Sequence, residues 1–371
     1  MQTYAEAAVV HARQVHALTL RLQVEDLAIV DRILDHHRVQ ADRSDDHALA
    51  LCYGSWFGET ALKHWGAQWV GLHEPQPPRL SVDGFLCSPI EAVAARLHAD
   101  GVPLGQRWQA LNAWVTSRHQ AVCDAATGNA GAWDKLANDP RFHAHPQALP
   151  PDVATARAAI DPWLSEWQPG SKLLLLAAGG GTHSGLHAAA GFDVTVVDQC
   201  DRMLAIDRQL AERFALAITV QELSLQDLSP LLPASFDAVV QPVSSCYVAD
   251  LAAVYRQVGR VLRSGGLYIA QHKQPGSLQA SGNPRGDYRL RLPVFAGLPL
   301  GQALETDEHL EPGTTEFIHP LETLLGELCR SGFVIEAVTE PPRGDAWAAP
   351  GSPAHRACYL PPYLKIKARR R

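Results

Sequence analysis

The second half of the sequence predicts an α/β fold, and the first half predicts a separate α+β module. Beyond about residue 170, short apolar runs alternate with longer amphipathic stretches. Strands and helices in that alternation form a parallel sheet with helices on both faces. A length of 371 residues suggests two domains. Because Pro and His accumulate between residues 139 and 152, we place the domains at 1–150 and 151–371.

The individual elements follow from hydrophobic periodicity and from Gly and Pro punctuation. The predicted strands of the second half are Lys172–Ala178, Val194–Val197, Ala217–Val220, Phe236–Gln241 and Leu267–Gln271. The helices between them include Asp201–Phe214 and Asp250–Leu262. Helix Leu321–Cys329 precedes two closing strands that begin at Gly332 and Cys358. In the first half, helical segments surround three short strands at residues 68–72, 79–82 and 84–87.

Composition limits the classes of partner. Hydrophobic residues make up 46% of the chain and charged residues 19%, so a sizeable core can form. The net charge of −7 gives no general attraction to nucleic acid or to anionic membranes. A basic cluster at residues 365–371 is interpreted as a solvated tail. The seven cysteines include no Cys-x-x-Cys pair, and no leader or membrane span is visible. We therefore expect a cytoplasmic protein.

The densest chemical signal is the segment from Lys172 to Gly191, in which a buried strand runs into glycines and then into a helix. Glycines let the backbone approach a ligand closely, and the helix start offers free N–H donors. Asp198 ends the next strand, where a carboxylate can accept hydrogen bonds from ribose hydroxyls. A P-loop would need a Lys after the glycines, and a dinucleotide fingerprint would need Gly at Ser184. A turn that only packs helix on strand remains the structural alternative.

These motifs resemble those of the class I S-adenosylmethionine-dependent methyltransferases over roughly residues 170–275. Gly179 and Gly181 match glycines of the family's first motif, and Asp198 matches its ribose-binding acid. The run from Asp198 to Leu204 is similar to a family run in which Met203 packs near the adenine. Residues 236–241 and 255–267 resemble the fourth strand and the helix and Gly-Gly turn before the fifth. The resemblance implies a seven-stranded Rossmann-like methyltransferase sheet with S-adenosylmethionine as cofactor.

Two departures from the family pattern affect the expected cofactor site. The acid of the first motif is Leu175 here, and its first glycine is Ala177. The ammonium group of the cofactor then needs another partner, either the carbonyl of Ala177 or the side chain of Gln241. In the third motif Ser224 takes the acid position, and either Ser224 or Asp227 faces the adenine amine. The implied cofactor-binding residues are Ala177, Gly179, Gly181, Asp198, Gln199, Met203, Ser224, Leu225, Asp227 and Gln241.

Candidates for the acceptor side follow the fourth and fifth strands. Tyr247 is a candidate for orienting an acceptor, and His272 is a candidate base. The alternatives are a half-buried aromatic ring and a histidine hydrogen-bonded at a strand end. His319 is equally ambiguous. The long stretch 273–319, rich in Gly and Pro, is interpreted as an irregular substrate lid, or else as a structural insertion.

No metal site is expected. The pairs His36–His37 and His143/His145 lie in a helix and in a Pro-rich loop without nearby carboxylate or cysteine partners.

The resulting prediction is methyl transfer from S-adenosylmethionine to O, N or C of a small molecule. Nucleic acid and membrane are not expected as partners, and the N-terminal module has no assigned role beyond possible homodimerisation. One alternative is a non-catalytic binding protein in which Leu175 and Ala177 mark a decayed cofactor site. Another is a nicotinamide-dependent reductase, against which Ser184 counts.

Overall fold

The computed structural model describes residues 1–40, 43–82, 85–98, 101–139, 148–290, 298–299 and 311–371. These residues form two compact units, 1–120 and 121–371. The division lies inside one continuous helix, Leu104–Leu136, and not in the Pro- and His-rich stretch near residue 150. His143 and His145 lie outside the described residues. The C-terminal part of that helix therefore belongs to the second unit.

The first unit is an α+β module, as predicted. Its antiparallel three-stranded sheet has the order β1-β2-β3. Its core centres on helix Asp46–Trp65, where Tyr53 and Trp56 are fully buried. The elements are α1 (Gln2–His16), a 3₁₀ turn (Val24–Asp26), α2 (Leu27–Arg38), α3 (Asp46–Trp65), β1 (Gln68–Val70), β2 (Arg79–Val82), β3 (Phe85–Cys87), α4 (Pro89–Leu97) and α5 (Leu104–Leu136).

The second unit contains the predicted parallel strands and their helices. Its first part comprises α6 (Val153–Ala159), a 3₁₀ turn (Pro162–Leu164), β4 (Lys172–Leu176), α7 (Thr182–Ala189), β5 (Asp193–Asp198), α8 (Asp201–Phe214), β6 (Ile218–Glu222), β7 (Phe236–Gln241), a 3₁₀ turn (Ser245–Tyr247), α9 (Leu251–Val261) and β8 (Leu262–Lys273). Its second part comprises α10 (Pro275–Gln279), β9 (Ala280–Gly282), β10 (Tyr288–Leu290), β11 (Leu298–Pro299), β12 (Phe317–Ile318), a π-helical turn (Glu322–Glu327), α11 (Leu328–Arg330), β13 (Phe333–Thr339), α12 (Pro353–Arg356) and β14 (Tyr363–Arg370).

A seven-stranded sheet organises the second unit, in the order β13-β14-β8-β7-β4-β5-β6. The strands from β4 to β8 pair in parallel, whereas β14 is antiparallel to both of its neighbours. Counted along the chain, the spatial order is sixth, seventh, fifth, fourth, first, second, third. The predicted seven-stranded Rossmann-like sheet with a closing hairpin is confirmed.

Alternation along β4 explains why this strand is central. Leu173 and Leu175 join one hydrophobic cluster, while Leu174 and Leu176 join another, and all four are fully buried. Successive side chains of a strand point to opposite faces, so both faces of the sheet are covered. Leu175, which replaces an acid of the family motif, therefore packs in the core beneath the site.

Two sequence interpretations need correction. The basic C-terminal residues are not a solvated tail, because they alternate along β14 and form ion pairs with acids: Lys365 with Asp161, Lys367 with Glu336, and Arg369 with Glu166 and Glu336. The stretch 273–319 is not wholly irregular either. It contains α10, the hairpin β9–β10 and the pair β11–β12. Residues 291–297 and 300–310 of the predicted lid lie outside the described residues.

Among the described helices, none combines the length and the apolar composition needed to cross a membrane.

Candidate active site

The carboxyl ends of β4, β5 and β7 define the candidate site. The chain order of the strands reverses at β4, which lies between β5 and β7. In open α/β sheets, ligands bind in the crevice outside the carboxyl ends of the strands at such a reversal. The glycine turn follows β4 directly, and Asp198 is the last residue of β5.

The turn after β4 has a backbone that glycine suits. Gly180 and Gly181 have φ values of 101° and 82°, and Ala177 has a φ of 45° in the left-handed region. An alanine in that conformation is strained by about 1–2 kcal/mol relative to the right-handed region. Ala177 therefore keeps the turn geometry that a glycine would adopt without this strain.

Gly179 lacks a side chain because there is no room for one. A Cβ atom there would lie 2.8 Å from the Met203 Cβ and 3.0 Å from the Asp198 Oδ2. The backbone of the turn thus passes directly beside the carboxylate of β5 and the start of α8. This close approach is the cradle that an adenosine cofactor needs at a glycine turn.

The carboxylate of Asp198 is fixed by two backbone donors. Gly179 N–H donates to Oδ2 over 3.1 Å, and Cys200 N–H donates to Oδ1 over 3.0 Å. Burial raises the pKa of Asp198, although these hydrogen bonds oppose the effect. Each carboxylate oxygen has a second lone pair, so Asp198 retains acceptors for two ribose hydroxyls. Its geometry therefore fits the role that the sequence assigned to it.

Sequence reasoning missed Asp207, which lies on α8 and is fully buried. Its carboxylate accepts the N–H groups of Gly180 over 3.0 Å and of Gly181 over 3.2 Å, and also the hydroxyl of Ser184. Burial raises the pKa of Asp207 to about 6. Asp207 thus fixes the glycine turn and the start of α7 from below. The available signal was its spacing of four residues from Met203 on the buried face of α8.

Met203 packs where α8 meets α5. It clusters with Cys200, Ile206, Trp133 and Ala137, and its carbonyl accepts the Gly180 N–H over 3.1 Å. The Cys200 thiol donates to Asp134 of α5 over 3.0 Å. Gln199, the neighbour of Asp198, is exposed. The last turns of α5 therefore lie against this edge, although the sequence assigned them to the N-terminal module.

Three of the predicted cofactor residues lie in the segment after β6, and they differ in solvent exposure. Leu225 is buried, Ser224 is half-buried and Asp227 is exposed. The Ser224 hydroxyl accepts the Gln226 N–H, and the Asp227 carboxylate accepts the Ser229 N–H. Both side chains stabilise the local turn. Of the two, Ser224 is the less exposed.

The side chain of Gln241, at the end of β7, is buried and internally bonded. Its carbonyl oxygen accepts the hydroxyl of Tyr268, and its amide donates to Ser244 over 3.0 Å. Because these bonds occupy the amide, Gln241 is less suited to bind the ammonium group of the cofactor than the sequence suggested. The carbonyl of Ala177 is the other predicted partner of that ammonium group.

Tyr247 belongs to a polar cluster that the sequence did not reveal. Its hydroxyl donates to Glu311 over 2.9 Å, and Lys273 donates to Glu311 over 2.9 Å and to Glu316 over 2.6 Å. Trp133 packs edge-on against the Tyr247 ring with 5.6 Å between centroids. Lys273 is the last residue of β8, so this cluster lies at the same edge of the sheet as Asp198.

Charges in the polar cluster are set by burial and by mutual contacts. Burial is the main cause that raises the pKa of Tyr247, so the phenol stays protonated and donates. Burial also raises the pKa of Glu316. For Glu311, burial is outweighed by hydrogen bonds and by the charge of Lys273, which lower its pKa. The arrangement leaves Glu311 as an ionised carboxylate beside an ammonium group and a phenol.

His272, the candidate base, is fully buried. Its Nδ1 lies 2.7 Å from the Ser245 hydroxyl, and its Nε2 has no hydrogen-bond partner among the described residues. Burial lowers the pKa of His272 to about 3, so the ring is neutral. His319 donates to the carbonyls of Ser245 over 3.1 Å and of Val248 over 2.8 Å. Both histidines thus support the turn that carries Tyr247.

Comparison with known proteins agrees with this geometry. Residues 174–270 match a family model described as a methyltransferase domain. YbaJ of Bacillus subtilis (strain 168), an uncharacterized methyltransferase, is 32% identical over 184 residues, which cover 47% of this chain and 71% of that protein. A ubiquinone biosynthesis O-methyltransferase of Xanthomonas campestris pv. campestris (strain B100) is 29% identical over 151 residues, 40% of this chain and 59% of that protein. An S-adenosylmethionine-dependent methyltransferase of Mesorhizobium loti, of known structure, is 26% identical and covers 58% of this chain and 96% of its own, with a TM-score of 0.45.

The sheet, the glycine turn and the acid at the end of β5 define an α/β enzyme that binds an adenosine cofactor. With the relatives above, the chain belongs to the class I S-adenosylmethionine-dependent methyltransferases, and S-adenosylmethionine is its cofactor. The cradle at Gly179 and the two-donor arrangement at Asp198 fit this cofactor.

Proposed function

We propose that the enzyme methylates an oxygen or nitrogen nucleophile of a small molecule, and that Glu311 accepts the nucleophile's proton. The polar cluster of Tyr247, Lys273, Glu311 and Glu316 carries this proposal, because it combines an ionised carboxylate with two donors at the carboxyl edge of the sheet. Hydroxyl and amine acceptors lose a proton on methylation, as carbon acids do, whereas a thiolate acceptor carries no proton to remove.

S-adenosylmethionine supplies an electrophilic methyl group, so the protein's residues must mainly align the acceptor and exclude water. In this proposal Asp198 holds the ribose, and the turn from Ala177 to Gly181 lies against the methionine part of the cofactor. Tyr247 orients the acceptor, Glu311 takes the proton, and Lys273 keeps Glu311 ionised. His272 then acts as a positioning residue through Ser245, and not as the base.

The name of one relative favours oxygen over nitrogen as the atom that is methylated. The Xanthomonas protein is named an O-methyltransferase, and its similarity extends over 40% of this chain. Because that match covers 59% of the Xanthomonas protein, its substrate is not transferred to this chain. Because the pKa of Glu311 is lowered, it is a weak base, and phenols, the more acidic of the hydroxyl compounds, are the acceptor class that it serves best.

Other expectations stay predictions. The segment 273–319 as a lid, homodimerisation through the first unit, and a cytoplasmic location are among them. The C-terminal end of the segment is fixed, because Glu311, Glu316 and His319 are bonded to Lys273 and to the turn around Tyr247.

The test is an acceptor screen that detects S-adenosylhomocysteine. Phenols, aliphatic alcohols, amines, carboxylates and carbon acids are supplied separately with the cofactor. Turnover with hydroxyl or amine compounds is expected, and Glu311→Gln should lower kcat at least about tenfold, or about 1.4 kcal/mol. Cofactor Kd should stay within about twofold.

Glu322→Gln is the matched control, because the Glu322 side chain is 82% exposed and lies outside the polar cluster. It should leave kcat unchanged. Turnover of carbon acids alone would contradict the proposed acceptor class, and turnover by Glu311→Gln at the wild-type rate would contradict the proposed role of the cluster.

A further inference from the structure

Three histidines from two helices converge in the first unit. His11 and His16 belong to α1, and His37 belongs to the end of α2. Each has a ring nitrogen within 4.8 Å of a ring nitrogen of the other two, and all three side chains are half-buried. In this unit the sequence interpretation considered only the pair His36–His37, because the crossing of α1 and α2 that adds His11 and His16 is a tertiary feature.

The distances match a shared ligand. The Nε2 atoms of His16 and His37 lie 3.2 Å apart. Two nitrogens bound 2.0–2.1 Å from one tetrahedral ion are separated by about 3.4 Å, so these two atoms already have nearly that spacing. The ring centroid of His11 lies 5.4 Å from that of His16 and 5.4 Å from that of His37. The three rings therefore surround one point and do not stack in a row.

Tyr53 orients the third ring. The Nδ1 of His11 lies 2.9 Å from the hydroxyl of Tyr53, which is fully buried on α3. A histidine ligand usually donates its second nitrogen to an oxygen atom, which fixes the tautomer and leaves the other nitrogen free for the metal. With Nδ1 bonded to Tyr53, the Nε2 of His11 is the atom left for the cluster.

The cluster offers only imidazole nitrogens, which bind metals in their neutral form. No Asp or Glu side chain completes the set among the described residues, so the donors are nitrogen only.

We propose that His11, His16 and His37 bind one divalent transition-metal ion in the first unit. Three imidazoles suit Zn²⁺, Ni²⁺, Co²⁺ or Cu²⁺, and disfavour Mg²⁺ and Ca²⁺, which prefer oxygen ligands. The fourth position is taken by water or by His36, whose ring centroid lies 5.4 Å from that of His16. This site is separate from the methyltransferase site and adds an ion-binding function to the first unit.

The test uses the full chain without a polyhistidine tag, stripped of metal with a chelator and then titrated with Zn²⁺ or Co²⁺. One equivalent per chain is expected by calorimetry and by elemental analysis after gel filtration. Co²⁺ should give the visible absorption of a four-coordinate ion. His16→Ala combined with His37→Ala should weaken Zn²⁺ binding at least about tenfold and remove that absorption.

His73→Ala is the matched control, because His73 is an exposed histidine of the same unit outside the cluster. It should bind Zn²⁺ like the wild type. If the double variant misfolds by circular dichroism, the single variant His16→Gln gives the same readout with less disturbance, because His16 ends α1 and is half-buried. The proposal would be overturned if the wild type bound no Zn²⁺ or less than one equivalent. It would also be overturned if the cluster variants bound Zn²⁺ with the same affinity as the control.

Discussion

Asp198 shows how one carboxylate serves both the fold and the ligand. Its two oxygens accept backbone N–H groups from the turn after β4 and from the start of α8. Those bonds fix the orientation of the carboxylate before any cofactor arrives, so little side-chain freedom remains to be lost on binding. The remaining lone pairs of the carboxylate can accept hydrogen bonds from ribose hydroxyls.

Asp198→Ala should weaken binding of S-adenosylmethionine by about 1.5–3 kcal/mol, the range for a hydrogen bond to a charged group. Isothermal titration measures the change. Asp193→Ala is the control, because Asp193 lies exposed at the other end of β5. An unchanged Kd in a folded Asp198→Ala protein would contradict the ribose assignment.

The placement of Asp198 beside Gly179 could be predicted from the sequence because it depends on local order: strand, turn, helix, and the end of the next strand. Glu311 and Asp207 could not. Glu311 comes 38 residues after Lys273, and only tertiary folding brings them together. Asp207 lies inside a helix, where an acid usually faces solvent.

At the scale of elements, α8 is joined to the turn before α7 by a buried carboxylate. Asp207 satisfies two N–H groups that would otherwise lack intrahelical partners at the start of α7. The cost is an ionisable group in the core, with a pKa raised to about 6. A raised carboxyl pKa means that the folded state binds protons more readily than the unfolded state.

The sign of the pH effect follows from this difference. Between the unfolded pKa of about 3.9 and the folded pKa of about 6, stability attributable to Asp207 should fall as pH rises, by about 2–3 kcal/mol in total. Above that window the contribution is constant. Urea unfolding of the wild type and of Asp207→Asn from pH 4 to pH 7 measures it.

The variant should be less stable than the wild type at pH 4, because one acceptor is lost, and the difference should shrink as pH rises. Ser229→Ala, at an exposed turn, is the control and should run parallel to the wild type. Parallel curves for Asp207→Asn and the wild type would show that Asp207 does not titrate in this window.

Helix α5 marks the limit of element prediction from sequence. The sequence predicts helical segments around the three short strands, and the structure extends this one to Leu136 and divides it between two units. Asn129 exchanges two hydrogen bonds with the backbone of Thr315, and Trp133 packs on Tyr247. These partners are distant in sequence, so periodicity alone gave no indication of them.

At the scale of the whole molecule, two hydrophobic cores are built from different parts of the chain. One core includes residues from Ala5 to Val115, and the other consists of two clusters on opposite faces of the seven-stranded sheet. Separate cores permit separate unfolding transitions. The residues that the sequence predicts to bind the cofactor all lie in the second unit.

Calorimetry should therefore resolve two transitions, and S-adenosylmethionine should move only one of them. At a concentration of about 100 times Kd, the bound unit gains about 2.7 kcal/mol. Methionine at the same concentration is the control ligand and should move neither. A single transition that shifts as a whole would show that the units unfold together.

The carboxylate of Asp207 also has a consequence for the choice of cofactor. In proteins that bind nucleotide phosphates, the N–H groups at a glycine turn and helix start hold the phosphate. Here an internal anion already occupies the N–H groups of Gly180 and Gly181. Two negative charges about 4 Å apart repel by about 4 kcal/mol at an effective dielectric of 20. We therefore expect this turn to bind pyrophosphate-bearing nucleotides poorly, whereas S-adenosylmethionine, which has no phosphate, avoids that penalty.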